Sequence, residues 1–143
     1  SYIGNFVGSF ILGGLFVWSN ASHQILVDYY RSFIYTKLDA TPMELFIRGV
    51  LCNFLVCLAV YTGMKLKSES GKMIMMFCII TAFVLAGFEH CVANMGTFTI
   101  GYMLLGDIGT AAVIKSQFFV TLGNIVGGAV LLAFPLKQMS AEH

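Results

Sequence analysis

The stretch Thr81–Met95 carries the side chains of this 143-residue chain best suited to chemistry: an acid, Glu89, an imidazole, His90, and an amide, Asn94, set inside an apolar run. From Met73 to Leu105 the only ionisable groups other than Cys and Tyr are Glu89 and His90. Leaving a polar group unpaired in hydrocarbon is expensive, so a histidine there reads as functional. The bland alternative is that the pair only satisfies backbone or neighbouring helices. Adjacent residues on a helix point about 100° apart and cannot face one line. His90 is therefore assigned to a path through the membrane and Glu89 to the support of a loop or a neighbouring subunit. Asn94, one turn after His90, can share its face. Phe83 is placed as an apolar gate in the same path, with plain packing as the alternative.

These residues need elements that position them. A straight helix over 73–105 would be about 50 Å long, against a hydrocarbon core of about 30 Å, so the segment must break, tilt or double back. The break is expected at Ala86-Gly87, where Gly87 tolerates backbone angles denied to other residues. It would leave a half-helix whose open N–H groups point into the gap.

Composition sets the class. The chain is 58% hydrophobic and 10% charged, with a mean hydropathy of +0.85, which excludes an ordinary soluble domain and indicates a polytopic membrane protein in a lipid bilayer. A net charge of +1 leaves no basic footprint for nucleic acid. Cys52, Cys57, Cys78 and Cys91 lie within expected spans in no metal-finger spacing and read as small apolar fillers. No cofactor or metal is called for.

A single transmembrane domain is expected over 1–143, with spans at 2–18, 42–63 and 117–136, an interfacial segment at 22–38 and the broken span at 72–105. Trp18 marks one membrane boundary. Leu26, Tyr29, Tyr30, Phe33 and Ile34 recur at helical spacing among charged residues, as in a helix lying on the interface, although an irregular loop wetted by tyrosines fits too. Thr41-Pro-Met-Glu44 supplies an N-cap, a proline at the first helical position and an acid to close a capping box. Inside the span that follows, Asn53 is the one strongly polar residue at depth, and Val56 lies almost a turn beyond it. The Lys-rich loop 65–72 suggests the cytoplasmic side, with the eight Lys and Arg dividing four and four between the two sides. Pro135 is placed in the terminal turn of the last span, and Gln138–His143 as a frayed tail.

Gly4-Asn-Phe-Val-Gly-Ser9 matches Gly123-Asn-Ile-Val-Gly-Gly128 at four of six positions. Small-residue packing is one explanation. The other is an inverted repeat of three membrane segments per unit, in which the first span closes an earlier unit and about 80 residues with two more segments lie upstream.

Gly87-Phe-Glu-His-Cys-Val-Ala-Asn-Met95 closely resembles the signature of the formate/nitrite transporter family, whose members conduct small monovalent anions such as formate, nitrite and hydrosulfide. The resemblance extends to Asn53-Phe-Leu-Val-Cys-Leu-Ala-Val60 and to both Gly-Asn-x-x-Gly copies, so it covers the third to sixth spans of such a protein. It implies an all-α, aquaporin-like bundle with an inverted repeat, assembled as a homopentamer with one pore per protomer in the cytoplasmic membrane. His90 resembles the family's central pore histidine. Phe83 and Val56 are similar in position to the apolar constrictions, Lys37 to a vestibule lysine that concentrates anions, and Asn53 and Asn124 to amides near the histidine. Cys91 stands where some members have Ser, and the first two spans are absent.

A bare anion in an apolar slit loses several kcal/mol of hydration even after relaxation, whereas a neutral weak acid loses far less. On this reading Lys37 and the half-helix draw the anion in, and His90 donates a hydrogen bond or a proton to it. Competing readings are a neutral-solute channel of aquaporin type, which would need Asn-Pro-Ala motifs where the only prolines are Pro42 and Pro135, a membrane metalloenzyme using Glu89, His90 and Cys91, and a structural membrane subunit.

Overall fold

The computed structural model describes residues 2–21 and 23–141, and every element among them is helical. The helices are α1 (Tyr2–Trp18), α2 (His23–Leu38), α3 (Pro42–Lys65), α4 (Glu69–Leu85), α5 (Cys91–Leu105) and α6 (Thr110–Ile125). A π-helical segment, Val126–Ala133, continues α6 into α7 (Phe134–Ala141). They form two compact units, Ser1–Pro42 with Cys91–Phe118 and Met43–His90 with Phe119–His143.

Two stretches are long and apolar enough to cross a membrane, Pro42–Lys65 with 24 residues and Thr110–Met139 with 30. Only 22% of the apolar window of each is buried, so most of that surface is left for lipid or further protein to cover. The segment expected at 72–105 is two helices with a break between them. Ser68 opens α4, its Oγ accepting from the Gly71 N–H at 3.2 Å. α4 ends at Leu85, and Gly87 takes φ +68°, an angle that strains any residue with a Cβ.

The segment at 22–38 is a helix over His23–Leu38, whereas the bounds of the last span depart from those expected. The last helix starts at Thr110, seven residues before the expected 117, and runs past Pro135 to Ala141. Pro135 cannot donate a backbone hydrogen bond and crowds the carbonyl four residues back. The chain meets it directly after eight residues of the wider π register, in which Phe134 N–H reaches Ala129 O. The expected frayed tail is helical as far as Ala141, and its last two residues lie outside the described residues.

In the first unit α1 and α2 both pack on α5. Gly13 lets α1 approach so closely that a Cβ there would lie 3.0 Å from the Thr99 side chain. Ile34 and Leu38 of α2 join Phe98 and Ile108 in a buried apolar cluster. Lys115 Nζ donates to Leu38 O at 3.0 Å and to Ala40 O at 3.1 Å, supplying a cation to carbonyls that the end of α2 leaves open.

Arg31 Nη1 meets Asp107 Oδ2 at 2.9 Å, joining α2 to the loop after α5. Hydrogen bonding to Arg31 holds the Asp107 carboxyl below its ordinary value and raises the guanidinium. A depressed folded-state pKa stabilises above the unfolded value of about 3.9 and loses that contribution as pH falls through the folded value. Asp107→Asn is therefore expected to flatten the acid side of a melting-temperature profile between about pH 5 and pH 3, by a small amount because exposed pairs contribute little. Superimposable profiles for the two proteins would detach this bridge from acid stability.

In the second unit glycines bring two backbones together. A Cβ on Gly49 would lie 2.8 Å from Val120 O, one on Gly123 would meet Phe46 O, and one on Gly127 would meet Val50 O. α3 and the stretch from α6 into the π segment thus pack backbone against backbone, the arrangement small residues permit between membrane helices.

Candidate functional site

His90 is the last residue before α5, and it is half-buried. The five residues from Ala86 to His90 lie between helices, so their backbone groups need partners from outside the ordinary ladder. Phe88 N–H reaches back to Phe83 O at 3.1 Å, and Glu89 N–H reaches Arg48 O of α3 at 3.4 Å. Glu89 O accepts from Asn124 Nδ2 at 2.9 Å, and the same nitrogen donates to Gly49 O, also at 2.9 Å. Asn53 Nδ2 in turn donates to Asn124 O at 2.6 Å.

The two amides expected near the histidine therefore act on backbone. Asn124, only 4% exposed, ties α6, α3 and the residue before His90 into one hydrogen-bonded knot. Glu89 is 2% exposed within this knot, and Gly87 supplies the turn that leads into it. Phe83 and Val56 are half-buried on α4 and α3 of the same unit.

The first unit holds the other two singled-out residues and joins them directly. Lys37 Nζ donates to Asn94 Oδ1 at 3.3 Å and sits 5.0 Å from the centroid of the Phe33 ring. An ammonium over an aromatic face and against an amide oxygen is held in place by both contacts. Asn94 is 2% exposed.

Gln117 was marked by the sequence only as a span boundary. Its Nε2 donates to Cys91 O and to Tyr2 Oη, both at 2.8 Å, fastening the first turn of α5. Lys115 likewise read as a charge at a helix end. Neither has a local signal, since their partners lie far away in sequence and are mostly backbone carbonyls. A cavity of about 400 Å³ in the first unit is walled by Phe6, Phe10, Phe98 and Tyr102 among others, with Tyr2 and Gln117 at its lining, and includes none of the site residues expected from the sequence. Among the described residues no three His, Cys, Asp or Glu side chains converge on a point.

All-helical among the described residues, with two helices long and apolar enough to cross a membrane and a break just ahead of a half-buried histidine, the chain has the make-up of a polytopic membrane protein. The family model for formate/nitrite transporters matches residues 1–137, and the chain belongs to that family. It is similar to the uncharacterized transporter YwcJ of Bacillus subtilis, with 34% identity over all of this chain and 57% of the relative. It is also similar to the nitrite transporter NirC of Escherichia coli, at 31% over 92% of this chain and 50% of the relative. Among solved structures, a pentameric formate channel with formate bound superimposes with a TM-score of 0.84 at 30% identity, covering 98% of this chain and 64% of that one. The chain spans about half the length of the curated relatives named here.

Proposed function

We propose that the protein containing this chain carries small monovalent anions of weak acids, formate, nitrite or hydrosulfide, across the cytoplasmic membrane. It does so as a homopentamer with a path through each protomer and with no enzymatic step. His90 lines the path and donates a hydrogen bond or a proton to the passing anion. Phe83 and Val56 form its apolar walls, and Lys37, steadied by Asn94, attracts the anion. Asn53 and Asn124 position the histidine through the backbone.

One observation carries this reading: the chain is interrupted at Ala86–His90 inside apolar sequence, and hydrogen bonds from α3 and α6 fix the interruption one residue before the imidazole. A break held this firmly keeps a polar ring at a set depth. That is the requirement for offsetting the hydration an anion gives up in a greasy slit.

The test is stopped-flow uptake by proteoliposomes holding the full-length protein, with formate, nitrite, hydrosulfide, acetate and lactate each offered at two pH values. Uptake of one or more of these above protein-free vesicles, faster at the lower pH, is expected. Uptake of neutral solutes alone would instead favour the aquaporin-type reading, and no flux of any solute would leave a structural subunit.

A further inference from the structure

Lys37 stands in the last turn of α2, where a lysine ordinarily turns onto the carbonyls that a helix end leaves open. Its Nζ is directed to Asn94 Oδ1 of α5 at 3.3 Å and lies over the Phe33 ring. The carbonyls just beyond it have another cation. Lys115 Nζ, from α6, donates to Leu38 O at 3.0 Å and to Ala40 O at 3.1 Å. Tyr35 O, most of a turn back, accepts from the Asp39 N–H at 2.9 Å. Leu38 and Ala40 are themselves buried, so their carbonyls need a donor from within the chain.

We infer that Lys115 is a positioning residue for anion capture: by occupying the negative end of α2 it keeps the Lys37 ammonium on Asn94, where a passing anion can meet it. This rests on the reading of Lys37 as the residue that attracts the anion. The C-terminus of a helix carries about half a negative charge, and an ammonium in its last turn is drawn there unless a second cation has filled it. The same end, left bare, would repel the anion that Lys37 attracts. Lys115 comes from a different helix, so the work is divided between two cations: one neutralises the helix end and the other faces the solute.

Lys115→Met in the full-length protein tests this, with a cryo-EM map in lipid nanodiscs and formate and nitrite uptake by proteoliposomes. In the map Lys37 Nζ is expected to leave Asn94 for the carbonyls at the end of α2; an ammonium still on Asn94 overturns the inference. Uptake should fall roughly three- to tenfold at low anion concentration, the weight of one misplaced charge, and approach the parent's rate as the concentration rises. An equal fall at every concentration would mark a general packing defect and overturn it too. In a Lys37→Met background Lys115→Met should add no further loss at low concentration, because the second residue acts through the first. Lys115→Arg keeps a cation on the carbonyls and should behave as the parent; a loss equal to methionine's counts against the inference. If the methionine variant does not assemble, Lys115→Gln decides by the same criteria, since a neutral donor competes poorly with an ammonium for a helix C-terminus. Should the parent protein move no anion, the transport reading falls, and the position of Lys37 in the variant's map alone decides whether Lys115 holds it in place.

Discussion

His90→Phe in the full-length protein is expected to cut anion uptake into proteoliposomes roughly ten- to a hundredfold. The ring keeps its approximate size and apolar body but loses both nitrogens. A hydrogen bond to a charged group is worth about 1.5–3 kcal/mol net, and each 1.4 kcal/mol added to a barrier slows passage about tenfold. The pH response should change as well. The protonated ring offers both nitrogens as donors, so a path that draws a proton or a hydrogen bond from His90 speeds up as pH falls. The phenylalanine variant should show only the shallow slope of protein-free vesicles. Flux that stays fast and pH-independent after the substitution would strip His90 of its role and leave the path to the walls and Lys37.

The second large effect is structural. Asn124→Leu removes the donor to both Gly49 O and Glu89 O and presses a branched side chain into a site that is 4% exposed. Buried carbonyls left without donors cost about 1–3 kcal/mol each, reduced in lipid because the unfolded chain also finds partners there. A loss of about 2–4 kcal/mol is expected, which lowers the melting temperature by roughly 5–15 °C for a protein of this size or larger. Asn124→Asp separates hydrogen bonding from packing. The shape is kept, but an ionised carboxylate would face two carbonyl oxygens, and a protonated one can donate to only one of them. It should therefore be at least half as damaging as leucine, and a melting temperature equal to the parent protein would show that the knot around Asn124 is not what holds the break.

Much of this arrangement was legible beforehand, and the reasons differ from residue to residue. Gly87 is visible as a break because an apolar run too long for the bilayer has to stop somewhere, and only a residue without a Cβ takes φ +68° cheaply. The second Gly-Asn-x-x-Gly copy is visible because the close backbone contact made by Gly123 and Gly127 demands glycine itself. The start of α6 was not legible. Lys115 looked like a charge standing outside the last span, and the structure shows it inside a helix that begins at Thr110, its ammonium turned onto the carbonyls of Leu38 and Ala40. The π segment at Val126–Ala133 also left no mark, because a register that adds one residue per turn has no periodicity distinct from a short apolar helix. Around the site, residue types pointed to polar groups enclosed by the chain, and Glu89, Asn94 and Asn124 are buried. They did not show that Asn53 and Asn124 spend their donors on backbone, since an amide serves a solute and a carbonyl with the same chemistry.

The tether of Glu89 to Arg48 and Asn124 fixes the break to the α3–α6 pair, whereas α4, which leads into it, has no buried residue within this chain. When a bilayer thickens or thins, helices accommodate by tilting, and the element with the fewest internal contacts yields first. The residue before the imidazole is thereby anchored to α3 and α6 rather than to α4, so its position follows those two helices when α4 tilts.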